Sequence, residues 1–529
     1  MESSYLGCSG LHVQFYDRTE PTLTNINLSV RKGEKVLFLG PSGSGKSTFI
    51  HVLSGLIPDA ILARMKGKVW GPKQRGVLFQ DPESQFCMLT VDEEIAFSLE
   101  NREIPANQMP EIIQKVKEQV GLGHLKGDTP INSLSGGMNQ RLALATILAL
   151  EPEVLFLDEP TAQLDPMGTK EVIDVLKQLD RNQTVLLVEH KLEGILDWID
   201  RVVLFNDQGE VIADGNPHTI YKEYESLIKQ YGIWKPRLWP LTWDALLKKE
   251  CSDVTHSWKK INLPKPSSSE PLITVSNGTL CLKNNMVWSN VNVEITKGDW
   301  VAIMGPNGAG KSSFLKTIMG LYTLQEGSIT YHFFKKPQRK TIKPEMLSNH
   351  IGFVFQNPEH QFVTDSVEDE ISFVGQVEKW SEKETLERVE QLIQEFRLSD
   401  LRTANPYTLS MGQKRRLSVA SMLLKKHELL LMDEPTFGQD AKMTDELAKR
   451  MRALNEMETT IVMTTHDVEF AYQYATKLIV LTEGGLLFAG LPEEFFSNSS
   501  FMKRAKLHAP LYMEYVKRKR ALEKGVTLS

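Results

Sequence analysis

The chain has 529 residues, 41% of them hydrophobic and 24% charged, with 61 Lys and Arg against 67 Asp and Glu and a net charge of −6. That length is enough for at least two domains with cores of their own, and the acidic balance excludes the basic footprint of a nucleic-acid binder. The four cysteines, Cys8, Cys87, Cys251 and Cys281, show neither metal-ligand spacing nor a disulfide framework, which points to a reducing cytosol; no apolar run reaches the about 18 residues of a membrane span, and the opening MESSYLGCSG does not read as a signal peptide.

In chain order, residues 11–16 (LHVQFY) and 23–30 (LTNINLSV) read as short strands. Tyr16, at the end of the first, is an aromatic able to stack on adenine; taken alone, such a residue is more often a strand-end core residue. The apolar run 35–39 (KVLFL) leads into Gly40, Pro41, Ser42, Gly43, Ser44, Gly45, Lys46, Ser47 and Thr48, and the helix-compatible FIHVL follows. This is the phosphate-loop pattern G-x-x-x-x-G-K-[ST] in its strand–loop–helix context. The glycines let backbone N–H groups point inward, and the following helix N-terminus adds its positive end. Lys46 supplies charge for the β- and γ-phosphates, and Ser47 a hydroxyl for Mg²⁺.

Residues 76–80 (GVLFQ) form an apolar strand ending in Gln80, which could give a carbonyl oxygen to Mg²⁺ and sense the γ-phosphate or be an ordinary polar residue at a strand exit. DPESQF and VDEEIAF follow, and 101–128 reads as a charged, helical inserted subdomain. At 134–141 the chain reads LSGGMNQR, ahead of an apolar helix. Ser135 suits an N-cap, and Gly136 and Gly137 allow close backbone approach, so this is a second helix N-terminus built to face an anion. The buried strand VLFLDEP, 154–160, ends in Asp158, suited to the Mg²⁺ shell directly or through water, and Glu159, suited to polarising an attacking water. The strand TVLLVEH, 184–190, ends in His190, placed to hydrogen-bond a γ-phosphate.

After a Trp-, Pro- and Ser-rich stretch the pattern repeats. Gly305, Pro306, Asn307, Gly308, Ala309, Gly310, Lys311, Ser312 and Ser313 form a second phosphate loop. FVFQ ends in Gln356, LSMGQKRR opens on Ser410, Met411 and Gly412, LLLMDEP supplies Asp433 and Glu434, GQD at 438–440 matches the earlier LD turn, and IVMTTH ends in His466. Ser135 to Asp158 spans the same interval as Ser410 to Asp433. Two departures stand out. Met411 puts a side chain where the first half has a glycine, and Cys281 stands as far ahead of Lys311 as Tyr16 does ahead of Lys46.

The order loop, Gln, LSGG, DEP, LD, His resembles the nucleotide-binding domain of ABC transporters, with LSGG as the separating signature. The resemblance covers about 450 residues. It implies an α/β fold of tandem P-loop NTPase domains, each a RecA-like core with a helical subdomain, over 1–235 and 271–498, joined by a linker over 236–270 and followed by a basic helical tail over 499–529. It implies that Tyr16 stacks on adenine, that Gln80 and Gln356 lie where each domain meets a membrane partner, and that Glu159, His190, Glu434 and His466 support hydrolysis of ATP with Mg²⁺. It implies head-to-tail pairing of the two halves, so that the loop of each closes on the signature of the other. FQ-[DN]-P-E-x-Q-F followed by V-[DE]-[DE]-E-I resembles energy-coupling factor ATPases, the importers of vitamins and metal ions, which implies a substrate of the vitamin or metal-ion class. The duplicated layout with LSxGQKRRLSVA resembles importer ATPases for thiamine precursors. The implied partners are integral membrane subunits, a coupling scaffold and a substrate-binding protein, and the implied place is the cytoplasmic face of the membrane. A different class, tandem ABC ATPases acting on ribosomes or nucleic acid, carries a long charged helical linker; this linker is Trp/Pro/Ser-rich.

Overall fold

The computed structural model describes residues 4–523 apart from 17, 19, 42, 163, 191, 249–254, 256, 262–269, 284, 335–341, 437 and 438. Ser42, Cys251, Gly438 and most of the Pro/Ser stretch before Pro271 thus lie outside the described residues. The chain divides into two compact units, Met1–Thr242 with Asp440–Met443, and Trp243–Gln439 with Thr444–Ser529.

In the first unit, Lys35–Leu39, Val154–Asp158 and Thr184–Val188 are buried at every position, and Arg201–Phe205 at all but its first. Strands covered on both faces read as continuous apolar runs and pair in parallel. These do, in a six-stranded sheet ordered Arg75–Leu78, Val154–Asp158, Thr184–Val188, Lys35–Leu39, Arg201–Phe205 and Val211–Gly215, the last antiparallel. A separate antiparallel sheet joins Leu23–Val30, Leu6–Gln14 and Arg64–Trp70; Leu23–Val30 alternates buried with exposed or half-buried residues along most of its length, as a half-covered strand does, and Arg64–Trp70 has no buried residue. Three helices, Val91–Glu100, Met109–Gln119 and Gly136–Leu148, pack on one another as the helical subdomain.

The second unit repeats this plan. Its six-stranded sheet runs Ile351–Val354, Leu429–Asp433, Thr460–Thr464, Trp300–Met304, Lys477–Thr482 and Gly485–Gly490, beside an antiparallel sheet of Asn285–Thr296, Pro271–Leu282 and Glu326–Tyr331. Val367–Val377, Glu382–Glu395 and Met411–Leu423 form its helical subdomain.

The tryptophans of the connecting stretch are packing residues. Trp239 lies against the rings of His218 and Tyr221, at 4.6 and 5.3 Å between centroids, and donates to Asp197. Within 236–270, Trp243–Lys248 is helical and belongs to the second unit, where Trp243 lies under the Arg518 guanidinium. The basic tail forms two helices, Ser499–Ala505 and Leu511–Glu523. Ala505 and Leu507 are buried with Phe495 and Phe496 against the sheet residues Leu478 and Val480. No described helix is long and apolar enough to cross a membrane.

Candidate active site

Both phosphate loops sit where a buried strand hands over to a helix: Lys35–Leu39 to Lys46–Ser54, and Trp300–Met304 to Lys311–Ile318. Each turn depends on a glycine at the helix start. Gly45 has φ +84°, and a Cβ there would lie 2.7 Å from Leu23 Cδ2; Gly310 has φ +83°, and its Cβ would lie 2.5 Å from Val287 Cγ1. A side chain at either position meets both a left-handed backbone and a wall. The loop lysines reach back over their own turns. Lys46 Nζ donates to the carbonyls of Gly40 and Pro41 at 2.9 and 2.8 Å, and Lys311 Nζ to those of Gly305 and Pro306 at 2.9 and 3.0 Å. Burial pulls the Lys46 ammonium down to about 8, against the opposing charges of Glu159 and Asp158.

The carboxylates come to these loops from strands of the same sheet one strand away, with Thr184–Val188 and Thr460–Thr464 between them and the loop strands. Ser47 Oγ donates to Asp158 Oδ1 at 3.0 Å, and Ser312 Oγ to Asp433 Oδ1 at 2.9 Å. Burial raises the Asp158 carboxyl to about 6, helped by the Glu159 charge and resisted by the Ser47 bond. Burial likewise raises Asp433, resisted by bonds from Thr464 and Ser312. Glu159 and Glu434 each adopt φ +49°, a left-handed conformation that costs a non-glycine residue about 1–3 kcal/mol and clusters at working sites. His190 Nε2 lies 3.2 Å from Glu159 Oε1, and His466 Nε2 lies 3.0 Å from Glu434 Oε1. Burial pushes Glu159 up, but the His190 hydrogen bond and charge, with Lys46, outweigh it and hold the carboxyl down. Glu159 therefore stays ionised beside an imidazole, the arrangement a general base needs.

Gln80 joins this cluster, its Nε2 donating to Glu159 Oε2 at 2.9 Å. Gln356 is held through its backbone: the buried Arg415 guanidinium donates to the carbonyls of Phe355 and Gln356. The loops beyond both glutamines are pinned by buried carboxylates of the V-x-x-E-I runs. Glu94 Oε2 accepts from the backbone N–H groups of Cys87 and Met88 at 2.9 and 2.7 Å. Glu370 Oε2 accepts from those of Val363 and Thr364 at 2.9 and 3.0 Å and from the Thr364 hydroxyl at 2.8 Å. Sequence reasoning quoted these glutamates and Arg415 within motifs without giving them a role; the recurrence of the glutamates after Gln80 and Gln356 was the available signal.

Ser135 and Ser410 are the N-caps of the signature helices, accepting from the N–H of Met138 and Gln413. Ser410 also closes a capping box with Gln413. Met411 opens its helix with a half-exposed side chain. Tyr16 lies just past the first strand, 65% exposed, with the Arg64 guanidinium 5.3 Å over its ring. A cleft of about 430 Å³ is lined by Gly43 of the loop and by Arg18, Glu20 and Thr22 beyond Tyr16. Cys281 is a strand residue whose N–H and carbonyl both bond the Gln325 side chain. Lys46, Ser47, Gln80, Asp158, Glu159 and His190 thus form one connected cluster, while Tyr16 and the signature residues stand outside it. Tyr16→Ala is expected to weaken ATP binding at the Lys46 site by about 0.5–1.5 kcal/mol, the worth of an aromatic stack, and Cys281→Ala to change little. Nucleotide titration of the two variants checks this; equal losses would show the aromatic is misplaced.

A deeply buried ammonium, a glycine-rich loop at a helix start and a serine–aspartate oxygen pair fit a polyphosphate and a hard divalent cation. The family model described as ABC transporter matches this chain twice, over residues 23–162 and 288–437, each match spanning one phosphate loop, one signature and one carboxylate pair. The chain belongs to the ABC transporter family. This ABC protein is 38% identical over 96% of its length, and 95% of the relative's, to YkoD of Bacillus subtilis (strain 168), named as a candidate HMP/thiamine import ATP-binding protein. A candidate ABC transporter ATP-binding protein of Methanosarcina acetivorans is 33% identical over 92% of this chain and 86% of its own. Among solved structures, cbiO1 of Clostridium perfringens, described as part of the ABC transporter complex cbiONQ, matches 48% of this chain and 99% of its own at 26% identity, with a TM-score of 0.40. The protein is an ATPase whose hydrolysis is coupled to transport, and its domains bind ATP, with Mg²⁺ as the family's usual metal.

Proposed function

We propose that this chain is the energy-coupling ATPase of an importer of the energy-coupling factor type, acting at the cytoplasmic face of the membrane on a thiamine precursor. The observation that carries the reading is the end-to-end match, 38% over 96% of the chain, to a relative named for HMP and thiamine import. Separate integral subunits, a coupling scaffold and a substrate binder, supply the passage through the bilayer. In the proposed cycle the two halves pair head to tail. Lys46, Ser47 and Asp158 of one site work opposite Ser410, Met411 and Gly412, and Lys311, Ser312 and Asp433 opposite Ser135, Gly136 and Gly137.

Within each site the roles follow from chemistry. Loop N–H groups and the lysine hold the phosphates, and the serine and aspartate, with Gln80 or Gln356, hold Mg²⁺, which when bound neutralises charge building on the phosphates. Glu159 and Glu434 orient and polarise the attacking water, and His190 and His466 fix those carboxylates. The loops pinned by Glu94 and Glu370 carry the state of each site to the membrane subunits. The test is to purify the tagged chain from membranes in detergent and identify its companions. Two integral proteins are expected; salt-resistant recovery with ribosomes would overturn the reading.

A further inference from the structure

The halves differ around the carboxylate that ends the second strand of each core sheet. In the second half, Asp433 Oδ1 accepts from two hydroxyls, Ser312 at 2.9 Å and Thr464 at 2.7 Å. Thr464 Oγ1 also accepts the Glu434 N–H at 2.8 Å, so one hydroxyl ties both acidic residues. Lys316, on the helix that carries Ser312, adds a positive charge that acts on Asp433.

Both of these partners are exchanged in the first half. The parallel register sets Val188 opposite Asp158 where Thr464 stands opposite Asp433, and His51 occupies on its helix the place of Lys316. Asp158 Oδ1 keeps the Ser47 bond at 3.0 Å. The Glu159 N–H turns to the Val188 backbone carbonyl at 2.8 Å instead. His51 Nε2 stops 3.9 Å from Asp158 Oδ2, beyond hydrogen-bond reach, and this buried nitrogen finds no partner.

A divalent cation at the serine hydroxyl draws on the same carboxylate electron density as these donors. A second hydroxyl on Oδ1 and a nearby ammonium both lower the negative potential the cation meets. The first half lacks the second hydroxyl and has no ammonium at the helix position of Lys316, the positive charges acting on Asp158 being those of Lys46 and His190, and it offers an unpartnered imidazole nitrogen beside the carboxylate. We propose that the pairs Val188/His51 and Thr464/Lys316 set unequal divalent-cation affinities at the two ATP sites, with the N-terminal site the tighter. Thr464 and Lys316 are positioning residues of the C-terminal site: they hold Asp433 for orientation at the expense of its hold on the metal. The proposal rests on the reading that Ser47 with Asp158, and Ser312 with Asp433, take the Mg²⁺ that accompanies ATP.

The experiment uses the full chain, Mn²⁺ as the probe and a non-hydrolysable ATP analogue, with free Mn²⁺ followed by electron paramagnetic resonance. Lys311→Ala confines nucleotide to the N-terminal site, and Lys46→Ala to the C-terminal one. The Lys311→Ala protein is expected to bind Mn²⁺ roughly tenfold more tightly, the scale of one charge change in a partly buried site. His51→Lys with Val188→Thr in the Lys311→Ala background should remove that advantage. The reciprocal pair, Lys316→His with Thr464→Val in the Lys46→Ala background, should create it, and covers the case in which a threonine in the buried strand fails to fold. Equal affinities in the two single-site proteins, or a ratio that neither exchange moves, would overturn the proposal. Nucleotide binding without Mn²⁺ uptake in both proteins would overturn the metal-site reading beneath it.

Discussion

Glu434→Gln is expected to lower the ATPase activity of the assembled transporter more than Glu159→Gln does. In the proposed head-to-tail arrangement, the Glu434 site receives Ser135, Gly136 and Gly137, where bare backbone N–H groups at a helix N-terminus can meet the γ-phosphate. The Glu159 site receives Ser410, Met411 and Gly412, and Met411 opens its helix with a half-exposed side chain. Removing one preorganised donor costs about 10²–10³ in rate, so a methionine that holds the phosphate off is enough to separate the sites. Both carboxylates are held on side chain and backbone, Glu434 by His466 at 3.0 Å and the Thr464 hydroxyl, Glu159 by Gln80 at 2.9 Å, His190 at 3.2 Å and the Val188 carbonyl, so the difference expected is that of the signature each site receives. Met411→Gly should raise the turnover that remains in the Glu434→Gln background. The readout is steady-state phosphate release at saturating ATP with the membrane subunits present. A larger loss from Glu159→Gln, or no effect of Met411→Gly, would contradict the asymmetry.

The second large effect is expected at the buried glutamates that pin the loops beyond Gln80 and Gln356. Glu370 accepts two backbone N–H bonds and a hydroxyl, and Glu94 two backbone N–H bonds, with both side chains almost fully buried. Hydrogen bonds to a charged acceptor are worth about 1.5–3 kcal/mol each. Part of that returns when the freed N–H groups reach water, so Glu94→Ala and Glu370→Ala should each cost about 2–4 kcal/mol of unfolding free energy. The phosphate loops are separate from these bonds, so nucleotide affinity should hold while recovery of the membrane subunits falls. Thermal unfolding, nucleotide titration and co-purification measure the three. Unchanged melting temperature in both variants would show that these carboxylates do not hold their loops.

The parts of the site made by contiguous sequence were legible without coordinates. A phosphate loop needs only a buried strand, glycines and a helix start in order, and KVLFLGPSGSGKST and WVAIMGPNGAGKSS contain all three. A strand that stops at Asp-Glu places both acids at the same sheet edge, which is why Asp158 and Glu159 fall beside Ser47 and Lys46. What sequence order did not carry was partnership across the sheet. Whether Asp433 meets a threonine and Asp158 a valine depends on which residue faces it in the neighbouring strand, a matter of register. Arg415 was visible in LSMGQKRR, but its bonds to the Phe355 and Gln356 carbonyls join segments that lie far apart in sequence. In 236–270 the Pro/Ser composition reads as a linker and the tryptophans as surface-packing residues, and the rings of Trp239 and Trp243 do find partners on the units they belong to.

The central claim, that this chain burns ATP to drive import through separate membrane subunits, is tested most directly by uptake. The chain and its co-purifying membrane subunits would be placed in liposomes, and accumulation of labelled hydroxymethylpyrimidine or thiamine measured with ATP on the side of the chain. Accumulation that requires ATP and disappears in the Lys46→Ala, Lys311→Ala double variant is the predicted result. Uptake that is the same without ATP, or that survives loss of both loop lysines, would contradict it.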